Sequence, residues 1–224
     1  MTPADHGDAR LTRALLLCGV TAGPLYVLVG LAQVVTREGF DVRRHALSLL
    51  SNGDLGWIQI TNFCVSGALV IAGAAGIRRR LRRPSAPPMT SPSGGAWGPL
   101  LLAVYGAGLI GAGLFPADPG QGFPPGTPLS GTGISTSGLM HFVFGGAGFY
   151  ALIAACVVFG RRFARLGERT WAIWSMLTGL VFFVAFAAIA SGQNSPAIVL
   201  GFYGAVVWIW IWHTALGWNL LREG

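Results

Sequence analysis

Two histidines and three carboxylates carry most of the chemistry this sequence could perform. His45, His141 and Asp118, joined by either Asp41 or Asp54, are the residue types that hold zinc or another divalent metal. Imidazole nitrogen with carboxylate oxygen suits such ions and can leave one position for an activated water. That set would serve a metal-dependent hydrolase acting on a lipid or amide, or an oxidoreductase. No HxxH, HExxH or HxxxH spacing occurs, so the ligands would come singly from separate helices. A second arrangement makes Ser48 a nucleophile, His45 its base and Asp41 the orienting acid, although short side chains on one helix reach triad geometry poorly. The third is not catalytic. Asp41, Arg44, Asp54 and Asp118 would then form ion pairs, while the histidines cap helices or meet a polar headgroup. Haem ligation by His45 and His141 would require both at one depth.

Most of these residues lie in one polar stretch, residues 40–54, set between two apolar runs. Read as a helix at about 100° per residue, Asp41, His45, Ser48 and Asn52 share one stripe with Arg44 beside it. Val42, Ala46, Leu49 and Leu50 take the other side. The pattern predicts a short interfacial amphipathic helix, apolar face in lipid. Just beyond it, Gln59, Asn62 and Ser66 recur on one helical face. Polar groups in hydrocarbon need partners, so this stripe is expected to face other helices or a wet cavity beneath Asp41, His45 and Ser48. Asn62 therefore joins the candidate pocket.

The elements that must position these groups follow from composition. Of 224 residues, 53% are hydrophobic and 10% charged, too few charges to clothe a water-soluble globule. Six runs, at about 14–35, 57–77, 97–115, 138–160, 170–191 and 197–219, are long enough to cross a hydrocarbon core about 30 Å thick. The expected fold is a single all-α domain, a six-helix transmembrane bundle. Every basic residue is arginine, and twelve of the fifteen fall on one side of the spans. By the positive-inside rule both termini are cytoplasmic, in a cell inner membrane, with residues 36–56, 116–137 and 192–196 outward. The net charge of +7 is thus topological, and nucleic acid is not an expected partner.

Several further readings follow. Residues 1–13 read as a short polar tail and Pro24 as a kink in the first span. Arg78 to Arg83 stops the second span, and a flexible linker continues to Gly95. Prolines on both sides of Asp118 make a rigid turn that holds its carboxylate near the bundle mouth. Residues 120–137 form an outer cap. His141 sits about one turn into the fourth span, above a groove lined by Gly145 and Gly148. In the last span Trp208, Trp210, Trp212 and Trp218 read as an interfacial belt, with His213 a hydrogen-bonded packing residue. The three cysteines all lie inside spans and are expected to remain free.

Four motifs carry a resemblance: Gly19-Val20-x-Ala22-Gly23-Pro24; Arg44-His45-Ala46-Leu47-Ser48-Leu49-Leu50-Ser51-x-Gly53-x-x-Gly56-Trp57; Gly113-x-Phe115-Pro116-x-Asp118; and Gly138-x-x-His141. On these the chain resembles, over its full length, the prokaryotic membrane family catalogued as domain of unknown function 998. The resemblance implies a six-helix integral membrane protein and brings no catalytic residues. The expectation is a protein that contacts membrane lipids and binds a lipid or small amphiphile at a polar outer pocket of Asp41, Arg44, His45, Ser48, Asp54, Asn62, Asp118 and His141. It needs no cofactor. The alternative is the outer-face metalloenzyme, with zinc or another divalent metal on His45, His141 and Asp118; a small transporter comes third.

Overall fold

Backbone amides in lipid have no water to bond, so apolar spans can satisfy them only as helices or closed barrels. This chain uses helices. The computed structural model describes residues 3–82, 94–130, 133–193 and 195–222, with the backbone alone for 3–6, 94 and 95. Its helices are α1 (Pro3–Thr36), α2 (Gly56–Leu81), α3 (Gly94–Leu114), α4 (Thr136–Arg165), α5 (Arg169–Ala190) and α6 (Pro196–Arg222). All six are long and apolar enough to cross a membrane. Arg83 and the linker that follows it, and the side chain of His6, lie outside the described residues.

Each helix packs on its neighbour in sequence, and α6 closes back onto α1, giving a ring of six. Small residues let the backbones approach. Cβ atoms built on Gly67 and Gly106 would each lie about 2.5 Å from the other's carbonyl oxygen, so α2 and α3 meet backbone to backbone only because both are glycine. Aromatic side chains fill the ring's interior. Trp210 lies 5.0 Å from Tyr26 and 5.7 Å from Tyr105 between ring centroids, and Trp212 lies 6.1 Å from Phe159. Outward, Leu28, Leu114, Phe142, Ile173 and Leu180 are exposed, an apolar rim that lipid would cover.

Three expectations change. The N-terminal tail is helical from Pro3, and Asp8 within it pairs with Arg79 of α2. The tryptophan belt is only half a belt: Trp208 and Trp218 are exposed, but Trp210 and Trp212 are buried, and Trp212 Nε1 donates to Ser175 Oγ at 3.0 Å. His213 is buried among apolar neighbours with no hydrogen bond at either ring nitrogen, so it packs without the partner expected.

A loop cap over a buried amide cluster

The candidate site is built at the end of the bundle where residues 37–55 meet residues 115–130 and 133–135. The first of these loops is not the amphipathic helix its periodicity predicts. Only Leu47–Ser51 is helical, a single 3₁₀ turn, and Asp41–Arg44 form a separate turn before it. The reason is that the polar residues bond locally and to the second loop. The Asp41 carboxylate accepts from the Arg43 backbone N–H at 2.9 Å and from its guanidinium at 3.1 Å, so Asp41 pairs with Arg43 and not with Arg44. Those bonds, side chain first, hold the Asp41 carboxyl below its ordinary range.

His45 is the centre of the cap. Its Nδ1 accepts the Asp41 backbone N–H at 2.9 Å, which makes Nε2 the protonated nitrogen, donating to the Gln121 carbonyl at 2.9 Å. The His45 carbonyl accepts from Tyr203 Oη at 2.8 Å, tying the loop to α6. Gln121 is presented by a tight turn in which Gly120 and Phe123 exchange backbone bonds of 3.1 and 3.0 Å. Positive φ at Gln121 and Gly122 (57° and 87°) gives this turn the type I′ geometry of a hairpin. The turn also buries Phe123 against Phe40 and His45. Arg37 closes the assembly: its guanidinium donates to the Leu50 and Asn52 carbonyls and lies 5.3 Å from the Phe123 ring centroid. Burial lowers the Arg37 pKa, and the nearby Asp54 charge opposes that shift. Asn52 joins the loops a second time through the Ala117 carbonyl at 3.0 Å.

Asp118 and His141 do structural work beside this cap. The Asp118 carboxylate accepts the backbone N–H of Ser135 at 2.8 Å and its hydroxyl, while Ser135 Oγ accepts from the Gly138 N–H at 3.1 Å. Together they cap the first turn of α4. His141 Nδ1 lies 2.9 Å and 3.0 Å from the Ala112 and Phe115 carbonyls, among the otherwise unpaired acceptors at the end of α3. The expected groove below it is interrupted, because Gly148 packs on Gly108 of α3. Arg44 and Asp54 are exposed and Ser48 is half-buried.

The pieces of a triad are therefore apart in function: the Asp41 carboxylate holds Arg43, and His45 Nε2 faces Gln121 instead of Ser48. Among the described residues no group of three or more His, Cys, Asp or Glu could hold a metal ion. His45, Asp118 and His141 spend the atoms just named on separate protein partners.

Beneath the cap, the polar stripe of α2 does face another helix. Gln59, Asn62 and Ser66 are buried with Gln33 of α1. Gln33 Nε2 donates to Gln59 Oε1 at 2.8 Å and to the Val29 carbonyl at 3.3 Å. Asn62 Nδ2 donates to the Tyr26 carbonyl at 3.2 Å and to Gln59 Oε1 at 3.3 Å, and Ser66 Oγ donates to Asn62 Oδ1. The Val29 and Tyr26 carbonyls can only accept, so they orient Gln33 and Asn62, and these in turn orient Gln59. Two atoms remain without partners, the acceptor Gln33 Oε1 and the donor Gln59 Nε2. Of the candidate residues, the structure thus brings Asp41 and His45 together in the cap and places Asn62 in the amide cluster below it. Periodicity did not single out Arg37, Gln121, Phe123 or Tyr203. The one signal was Arg37's place among the three arginines on the side opposite the other twelve.

A ring of six membrane-crossing helices, closed at one end by interlocked loops over a buried polar cluster, defines a multi-pass integral membrane protein. Its family follows from the sequence match: the chain belongs to the family described as "Protein of unknown function (DUF998)", whose model matches residues 20–219. No curated protein and no solved structure matches the chain.

Proposed function

We propose that this protein binds the headgroup of a small amphiphile in the amide cluster of Gln33, Gln59 and Asn62, beneath a cap centred on His45. The observation that carries the reading is the orphan pair, Gln33 Oε1 and Gln59 Nε2, one acceptor and one donor inside the bundle. A hydroxyl or primary amide satisfies both, since it donates and accepts at once. Leaving either group unmet costs about 1–3 kcal/mol. The cap is the gate: residues 40–52 run between Gly39 and Gly53, both at positive φ (76° and 72°), where a chain can pivot with little steric cost. The distribution of arginines supports an inner-membrane protein with both termini cytoplasmic and the cap outward.

The test is a titration of detergent-solubilised protein with monoolein, whose headgroup is a pair of hydroxyls. Saturable binding is expected, weakened at least about tenfold in Gln33→Leu/Gln59→Leu by loss of the matched polar pair. Equal binding to both proteins would overturn the proposal. So would about one equivalent of metal in elemental analysis of the wild type, lost in both His45→Ala and His141→Ala, which would favour a metalloenzyme.

A further inference from the structure

At the opposite end of the bundle, α1 and α6 leave between them a recess of about 170 Å³ lined by Arg13, Leu17, Trp218, Leu221 and Arg222. Its chemistry is layered. Arg13 and Arg222 stand at the helix ends, while Leu17 and Trp218 lie one turn deeper on their respective helices, about 6 Å further into the membrane. Leu17 and Trp218 are exposed along the seam, so the lower part opens sideways toward lipid. The Arg222 guanidinium lies 5.4 Å from the Trp218 ring centroid, a contact that holds the charge over the recess. Among the described residues no carboxylate lines the recess, and neither arginine is salt-bridged, whereas Arg79 at the same end is neutralised by Asp8.

We infer that this recess holds the phosphate headgroup of an anionic phospholipid, with the acyl chains lying along Leu17 and Trp218. Three features select that occupant. Two guanidinium groups from different helices suit a phosphate, which accepts several charge-assisted bonds. The volume is too small for a whole drug-sized ligand but suits a headgroup whose chains stay in the bilayer. The indole sits where charged rim meets apolar floor, the level that tryptophan favours in membranes. Because the lipid contacts α1 and α6 together, it bridges the seam at which the ring closes.

Quenching of Trp218 by brominated lipids tests this directly. The protein is reconstituted in phosphatidylcholine vesicles carrying either brominated phosphatidylglycerol or brominated phosphatidylcholine as the minor lipid, and the signal that disappears in Trp218→Phe is taken as Trp218's own. Brominated phosphatidylglycerol should be enriched there about tenfold or more over brominated phosphatidylcholine, and Arg13→Gln and Arg222→Gln should each reduce the preference about fivefold. Millimolar inorganic phosphate should not reverse the quenching. Equal quenching by the two lipids in the wild type would overturn the inference without any arginine variant having to fold. A preference that survives both substitutions would overturn it too, and displacement by inorganic phosphate would reassign the recess to the free anion.

Discussion

His45 shows how one side chain can be committed by its neighbours. Its two nitrogens play opposite roles, acceptor toward the Asp41 N–H and donor toward the Gln121 carbonyl. His45→Ala should therefore strand two backbone groups and destabilise the protein by about 1–3 kcal/mol, read by unfolding in detergent. Sequence pattern placed His45 among catalytic candidates because imidazole is versatile, and it had no means of seeing Gln121, 76 residues away. Asp41 makes a pH-dependent contribution of known sign. Its carboxyl is held below the unfolded value by Arg43, so its stabilisation is present above about pH 4 and is lost as pH falls through the lowered value. Asp41→Asn should be less stable than wild type at neutral pH, and the difference should close on acidification in unfolding experiments at matched ionic strength.

At the scale of the element, the six spans were legible and the short helix in the loop was not. A run of apolar residues long enough for the membrane has one solution, whereas a period-matched segment of a dozen polar and apolar residues can bond elsewhere. Residues 41–52 do so, with Arg37 and Asn52 pulling the loop onto its neighbours. The α4 start is a case where the chemistry was visible but its purpose was not. Asp118 between two prolines read as a carboxylate held at a mouth; it is a cap, and Gly138 is the residue whose missing side chain leaves room for it. Asp118→Ala should cost about 0.5–2 kcal/mol, the range for losing a helix cap, and speed amide exchange in the first turn of α4. Gly138→Ala should produce the same local fraying by displacing the carboxylate. Because both changes act through one contact, the double variant should lose less than the two single losses added together.

For the whole molecule, membrane class and helix number followed from charge scarcity and span length. The closing of α6 on α1 did not, since ring closure depends on which faces fit and helical apolar runs look alike all round. The amide cluster lies between these cases: the stripe on α2 was visible in the sequence, its partner Gln33 lies on a different helix, and their meeting required the packed bundle. That cluster poses the sharpest test of what the molecule is for. In ligand-free detergent, two buried polar atoms without partners should make the native bundle less stable than one with apolar residues there. Gln33→Leu/Gln59→Leu should accordingly raise stability by about 1–3 kcal/mol, because removing both members of a poorly satisfied set relieves the cost that removing one would worsen. A ligand that meets those atoms should narrow or reverse that gap. Monoolein at about a hundred times its dissociation constant would add about 2.7 kcal/mol to the wild type and about 1.4 kcal/mol or less to a variant that binds it tenfold or more weakly. Thermal unfolding of both proteins with and without monoolein reads this difference: a larger gain in the wild type supports a binding cluster, and an equal gain in both assigns it to the detergent-like action of the lipid.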